Sequence, residues 1–197
     1  STSKQNSIFN ALGVLVSSTI IVFHCHRISL GDYNIKTDLP LYLCSLMALL
    51  IPIFTHYRKF WIYEILVFWI IAGTSQGVIT PDIPEGFPSF DYFRYWVVHL
   101  GLLIIIFYAT FVFKMKPKFK SVFKSFLALQ AYIIIMVLIN YILNSNYFYL
   151  KEKPDVTTLL DYFGDWPLYI IVTQIIIIPF FLLIYLPFYL TNKWHSQ

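Results

Sequence analysis

Six stretches of roughly 20 residues with few charges divide this chain, and that is the length an α-helix needs to cross about 30 Å of hydrocarbon. They cover about 8–27, 39–56, 60–79, 92–114, 121–144 and 166–191. Their apolar residues run continuously and do not alternate, which argues against a transmembrane β-barrel. In lipid every backbone N–H and C=O needs a partner within the protein, so such runs predict helices. A soluble fold cannot absorb them. Of 197 residues, 58% are hydrophobic and 12% charged, more apolar surface than a domain of this size hides. The expectation is an all-α, single-domain polytopic membrane bundle over residues 1–197. There is no polybasic module, so the lipid bilayer is the expected partner and nucleic acid is not.

Prolines and charges refine this reading. Pro40 and Pro167 each fit the first turn of a helix, where the missing N–H costs nothing. Pro179 lies inside the last stretch and predicts a bend. Arg58 and Lys59, the Lys114–Lys124 cluster, Lys4 and Lys193 all fall at one end of a six-helix bundle. Asp32, Asp38, Asp82, Glu85, Asp91, Glu152, Asp155, Asp161 and Asp165 fall at the other, leaving Glu64 as an isolated acid expected to snorkel or to pair with Arg58 or Lys59. By the positive-inside rule both termini and the lysine cluster are cytoplasmic. Abundant Ile, Phe, Tyr, Lys and Asn point to an AT-rich bacterial genome and a bacterial cell membrane.

Polar residues within the hydrocarbon are costly and turn inward. Near the acidic end lie His24 and His26, Cys44, Gln76, His99, Asn140 and Tyr169, at matching depths on several helices. They predict a cavity open to the outer leaflet. Cys44 and His99 are the pair with chemistry: a thiol and an imidazole are the minimal nucleophile and base for acyl transfer. Acting together, they would lie within about 5 Å of each other, allowing for the looser contacts of an empty site. The duller readings are a cysteine as a small core residue and a histidine that locks helices through a polar partner. His24 and His26, two residues apart, point to different helix faces and fall short of a metal ligand set; no metal site is expected. Cys25 and Cys44 lie on different segments, and no disulfide framework is indicated.

Several segments resemble a known family. They are Leu39-Pro40-Leu41-Tyr42-Leu43-Cys44-Ser45, Gly73-Thr74-Ser75-Gln76 with Thr80-Pro81-Asp82, Gly86-Phe87-Pro88, the run ending in His99, Trp166-Pro167-Leu168-Tyr169, and Leu186-Pro187-Phe188. Over about residues 24–190 they resemble the YwaF-type integral membrane family. That family is similar to eukaryotic transmembrane acyltransferases that form ether phospholipids, and more distantly to androgen-induced membrane hydrolases of fatty-acid esters. The resemblance implies a functional Cys–His pair at Cys44 and His99. It also implies one more helix ahead of Ser1. Tyr42 stands where the family pattern commonly has His.

The leading expectation is a membrane-embedded acyltransferase or transacylase acting on phospholipid or another acylated amphiphile through a thioester on Cys44, with His99 as base. Gln76, Asn140 and Tyr169 are candidate substrate-binding or oxyanion-stabilising groups. With a lipid as acyl donor no cofactor is required. The alternative is a small-molecule-binding membrane component of a transporter. That reading needs a helix surface rich in small residues for docking, for which Gly13 and Ser17 supply one pair.

Overall fold

The computed structural model describes residues 2–83 and 85–194, with side chains through Thr191. Six long helices form among them: α1 (Thr2–Leu30), α2 (Leu43–Tyr57), α3 (Phe60–Ile79), α4 (Phe90–Phe111), α5 (Phe119–Leu143) and α6 (Leu168–Trp194). All but α2 are long and apolar enough to span a membrane. The start of α1, the end of α2 and the end of α4 meet where Phe9 contacts Phe54 and Phe113. The starts of α3 and α5 meet at the same lysine-rich end. The chain therefore runs up and down, with both ends of the described chain together.

Between helices in lipid, close packing replaces the hydrophobic effect as the main attraction. Gly13 lets α1 lie against Thr55 of α2, where a Cβ would clash with that side chain. The hydroxyl of Ser17 donates to the Leu49 carbonyl at 3.1 Å. The small-residue pair on α1 is thus spent inside the bundle and is not a free docking surface.

Two expectations are corrected. The second helix begins at Leu43, so Pro40 lies ahead of its first turn. The Leu39–Tyr42 backbone is irregular because tyrosines elsewhere in the chain hold its polar groups. Tyr147 accepts the Leu39 N–H at 2.9 Å and donates to the Ile35 carbonyl, and the Tyr132 hydroxyl donates to the Leu41 carbonyl at 2.6 Å. Irregular backbone at membrane depth persists where protein buries it in this way. Glu64 does not pair with Arg58 or Lys59. Its buried carboxylate accepts from Lys124 Nζ at 2.6 Å and the Ser121 hydroxyl at 2.8 Å, tying α3 to the first turn of α5. The last helix continues through Pro179 and Pro187.

Lys124→Met is expected to lower thermal stability more than Glu64→Gln. The first leaves a buried carboxylate with one hydroxyl donor. The second leaves a neutral amide, while Lys124, 59% exposed, reaches water. An unsatisfied buried group costs about 1–3 kcal/mol, and solvent screening at Lys124 puts the difference at the low end. Equal losses, or the reverse order, in thermal unfolding in detergent would contradict this assignment.

Candidate functional site: a cavity around the outer half of α3

The cavity follows from the composition of one face of α3. Trp69, Gly73, Gln76, Gly77 and Thr80 recur at helical spacing, and two glycines among them leave room. The helix widens into a π-turn over Ile70–Thr74, a distortion that often marks functional sites. Around this face α2, α4, α6 and the end of α1 surround a cavity of about 1010 Å³, open at the end of the bundle opposite the Lys114–Lys124 cluster.

Cys44 enters from the first turn of α2. Its Sγ lies 3.6 Å from the buried Thr74 hydroxyl. His99 enters from α4, 8% exposed. Its Nδ1–H donates to the Tyr95 carbonyl at 2.8 Å, which fixes the tautomer and leaves Nε2 as the basic nitrogen. The ring stacks on Tyr95, with centroids 4.0 Å apart. Gly77 permits this approach: a Cβ there would fall 2.8 Å from Nε2. Tyr95 donates its hydroxyl proton to the Gly77 carbonyl at 2.7 Å and accepts the Asp82 N–H at 3.3 Å.

Both side chains line the cavity. Their neighbours on α3, Thr74 and Gly77, are three residues apart, about 4.5 Å along the helix axis. No hydrogen bond joins thiol to imidazole; the polar partner of one is Thr74 and of the other Tyr95.

The other candidates divide. Gln76 lines the cavity. Tyr169 also lines it, but its hydroxyl donates to the Tyr149 carbonyl at 2.7 Å, so it anchors the connection 144–167. Asn140 is not among the lining residues. Its amide donates to the Tyr147 carbonyl and accepts from Tyr147 N–H and the Ser145 hydroxyl, at 2.7–2.9 Å. That leaves it shaping the same connection, where Phe148 and Tyr149 both take positive φ, at 62° and 54°. Tyr149 in turn donates to Asp82 Oδ2 at 3.0 Å, joining the 144–167 connection to the 80–89 connection across the cavity mouth. Burial and the Asp82 carboxylate push the Tyr149 phenol well above its ordinary pKa, so it remains a donor.

The mouth is charged. Arg27, Lys36, Arg94, Lys151 and Lys153 share this end with the acids. Arg94 pairs with Asp91, Arg27 with Asp38, and Lys153 with Asp161 and Asp165. Among the described residues no three His, Cys, Asp or Glu side chains gather as a metal site. Burial alone would raise the Asp38 carboxyl. The Asn34 N–H, the Thr37 hydroxyl and Arg27 outweigh it and hold the group below its ordinary value. A lowered folded-state pKa stabilises above the unfolded value, and that stabilisation is lost as pH falls through the folded one. The 31–42 connection is therefore expected to loosen below about pH 4. Limited proteolysis should show faster cleavage there in acid, and Asp38→Asn should give the loosened pattern already at neutral pH. A wild-type pattern independent of pH would contradict this.

Thr74 and Tyr95 are not among the residues that polarity at depth singles out. Tyr95 carries a usable signal, since it lies four residues before His99 and so on the same helix face. Thr74 carries none, because only the packing of α2 on α3 brings it to Cys44.

The fold and cavity define an integral membrane helix bundle that presents a thiol and an imidazole to a mostly apolar cavity open at one end. The chain belongs to the TMEM164 family, whose family model matches residues 1–185. This is a transmembrane family; the match bears out the integral membrane family as such, and neither the narrower YwaF-type label nor an acyltransferase activity follows from it. No curated protein and no solved structure matches the chain.

Proposed function

We propose that this protein is a membrane-embedded acyltransferase or transacylase acting on an ester-bearing amphiphile in the leaflet at the acidic end of the bundle, with the lysine-rich end cytoplasmic. One observation carries the reading: Cys44 and His99, the latter with Nε2 as its basic nitrogen, line the same cavity, charged at its mouth and apolar at its floor. An amphiphile entering polar end outward brings its ester linkage to the depth of the thiol.

In the reaction Sγ of Cys44 attacks the ester carbonyl carbon, and the thiol proton passes to His99 Nε2, directly or through one water. The carbon–oxygen bond breaks, and the leaving alcohol takes the proton from His99. The acyl group is then held as a thioester. His99 next removes the proton from an acceptor hydroxyl, amine or water. Attack on the thioester carbonyl expels the Cys44 sulfur, which recovers a proton. Gln76 is the cavity amide suited to donate to the oxyanion. Tyr95 and Gly77 act by positioning the imidazole. Membrane lipid is the partner, and the donor ester needs no cofactor.

Lipidomics of cells expressing the wild type against Cys44→Ser tests this. The wild type should redistribute acyl chains between lipid classes, and Cys44→Ser should not. Identical lipid profiles at equal protein levels would overturn the reading and favour a cavity that binds a small molecule without reacting.

A further inference from the structure

The cavity continues below the thiol. Thr74 lies five residues above Trp69 on α3, across the π-turn. On α6 the lining residues run from Tyr169 to Phe181, a rise of about 18 Å. On α2 and α4 the deepest lining residues are Ser45 and His99, so the inner end is bounded chiefly by Trp69, Leu129, Ile177, Phe180 and Phe181. This floor is apolar and fixed. Phe181, 1% exposed, packs against Phe68 with ring centroids 5.2 Å apart. Trp69 turns its one polar atom away, donating Nε1–H to the Ser125 carbonyl at 3.1 Å. A hydrocarbon tail fits such a space; the polar lining residues of this part of α6, Thr173 and Gln174, lie about one turn nearer the mouth than Ile177, where Thr173 donates to the Tyr169 carbonyl and Gln174 accepts from Gln130. At Gly73 an added Cβ would meet only Leu43 Cδ2, at 3.5 Å, so α3 leaves the space beside the thiol open there.

We propose that the inner end of the cavity is an acyl-chain ruler. A chain whose reactive group meets Cys44 extends inward until it reaches Trp69, Leu129 and Phe181, and this floor sets the longest chain accepted. The proposal rests on the acyl-transfer reading for the identity of the reactive group as an ester; the slot itself is open to independent test.

That test uses n-alkyl methanethiosulfonates of increasing chain length on the full chain carrying Cys25→Ala, reconstituted in lipid nanodiscs. The Cys44 thiolate attacks the sulfenyl sulfur, a disulfide forms, and methanesulfinate leaves. Neither His99 nor ester chemistry is needed. Intact mass gives the rate at each length, and comparing variants at one length cancels reagent partitioning into lipid. Gly73→Leu should slow the long reagents by at least about tenfold, the scale on which overpacking is felt, and leave the shortest within about twofold. Gly73→Ala should fall between, and is the variant to use if Gly73→Leu does not fold. Phe181→Leu should move the length limit upward. The same factor at every length, a wild-type rate with no length limit, or no labelling of Cys44 in folded protein would each overturn the ruler. Turnover surviving in folded Cys44→Ala would remove the acyl-transfer reading and leave the ruler standing.

Discussion

Cys44→Ala is expected to abolish acyl turnover while Cys25→Ala leaves it largely intact. The substitution removes the thiol that borders the cavity, whereas Cys25 is exposed on α1. The neighbouring Thr74 hydroxyl is a far weaker nucleophile than a thiolate and does not replace it. The fold should tolerate the change. Alanine keeps the Cβ and gives up a single long sulfur–hydroxyl approach of 3.6 Å, at the weak end of hydrogen-bond energies. Activity assays on reconstituted protein, paired with thermal unfolding, separate loss of chemistry from loss of structure. Wild-type turnover in a folded Cys44→Ala protein would contradict the mechanism.

His99→Ala is expected to slow turnover by at least about 10²-fold, the usual scale for a positioned general base. The local architecture serves this one nitrogen. Tyr95 takes the Nδ1 proton on its carbonyl and carries the ring on its face, and Gly77 clears the space beside Nε2. Removing the imidazole also empties a buried site next to a tyrosine hydroxyl, so some stability is lost with the rate. His99→Asn distinguishes the two effects. Its amide retains a donor for the Tyr95 carbonyl but offers no base. A rate close to wild type in His99→Asn would leave the histidine a purely structural role.

The sequence exposed the bundle because lipid imposes strict rules. Length, hydrophobicity and the segregation of charge define the six helices and the end at which each begins. Boundaries set by tertiary packing were not legible. The second helix starts at Leu43 because Tyr132 and Tyr147, about a hundred residues away, satisfy the backbone of Leu39–Tyr42. Glu64 found Lys124 and Ser121 for the same reason, since no local spacing links α3 to α5. Polarity at membrane depth pointed to Cys44, Gln76, His99 and Tyr169, all of which border one cavity. Asn140 gave an identical signal and has a different task, because depth does not reveal which way a side chain turns. The separate partners of the thiol and the imidazole, and the aromatic floor beneath them, depend on the packing of α2, α4 and α6 around α3.

The most direct measurement is to trap the intermediate. Reconstituted protein incubated with a lipid ester carrying a labelled acyl chain, then quenched in acid, should gain the mass of one acyl group on the peptide containing Cys44. Neutral hydroxylamine should release it, as expected of a thioester. The adduct should be absent in Cys44→Ala and present in Cys25→Ala. Turnover that proceeds with no acyl group on Cys44 under any quench, or with the label on another residue, would contradict the account.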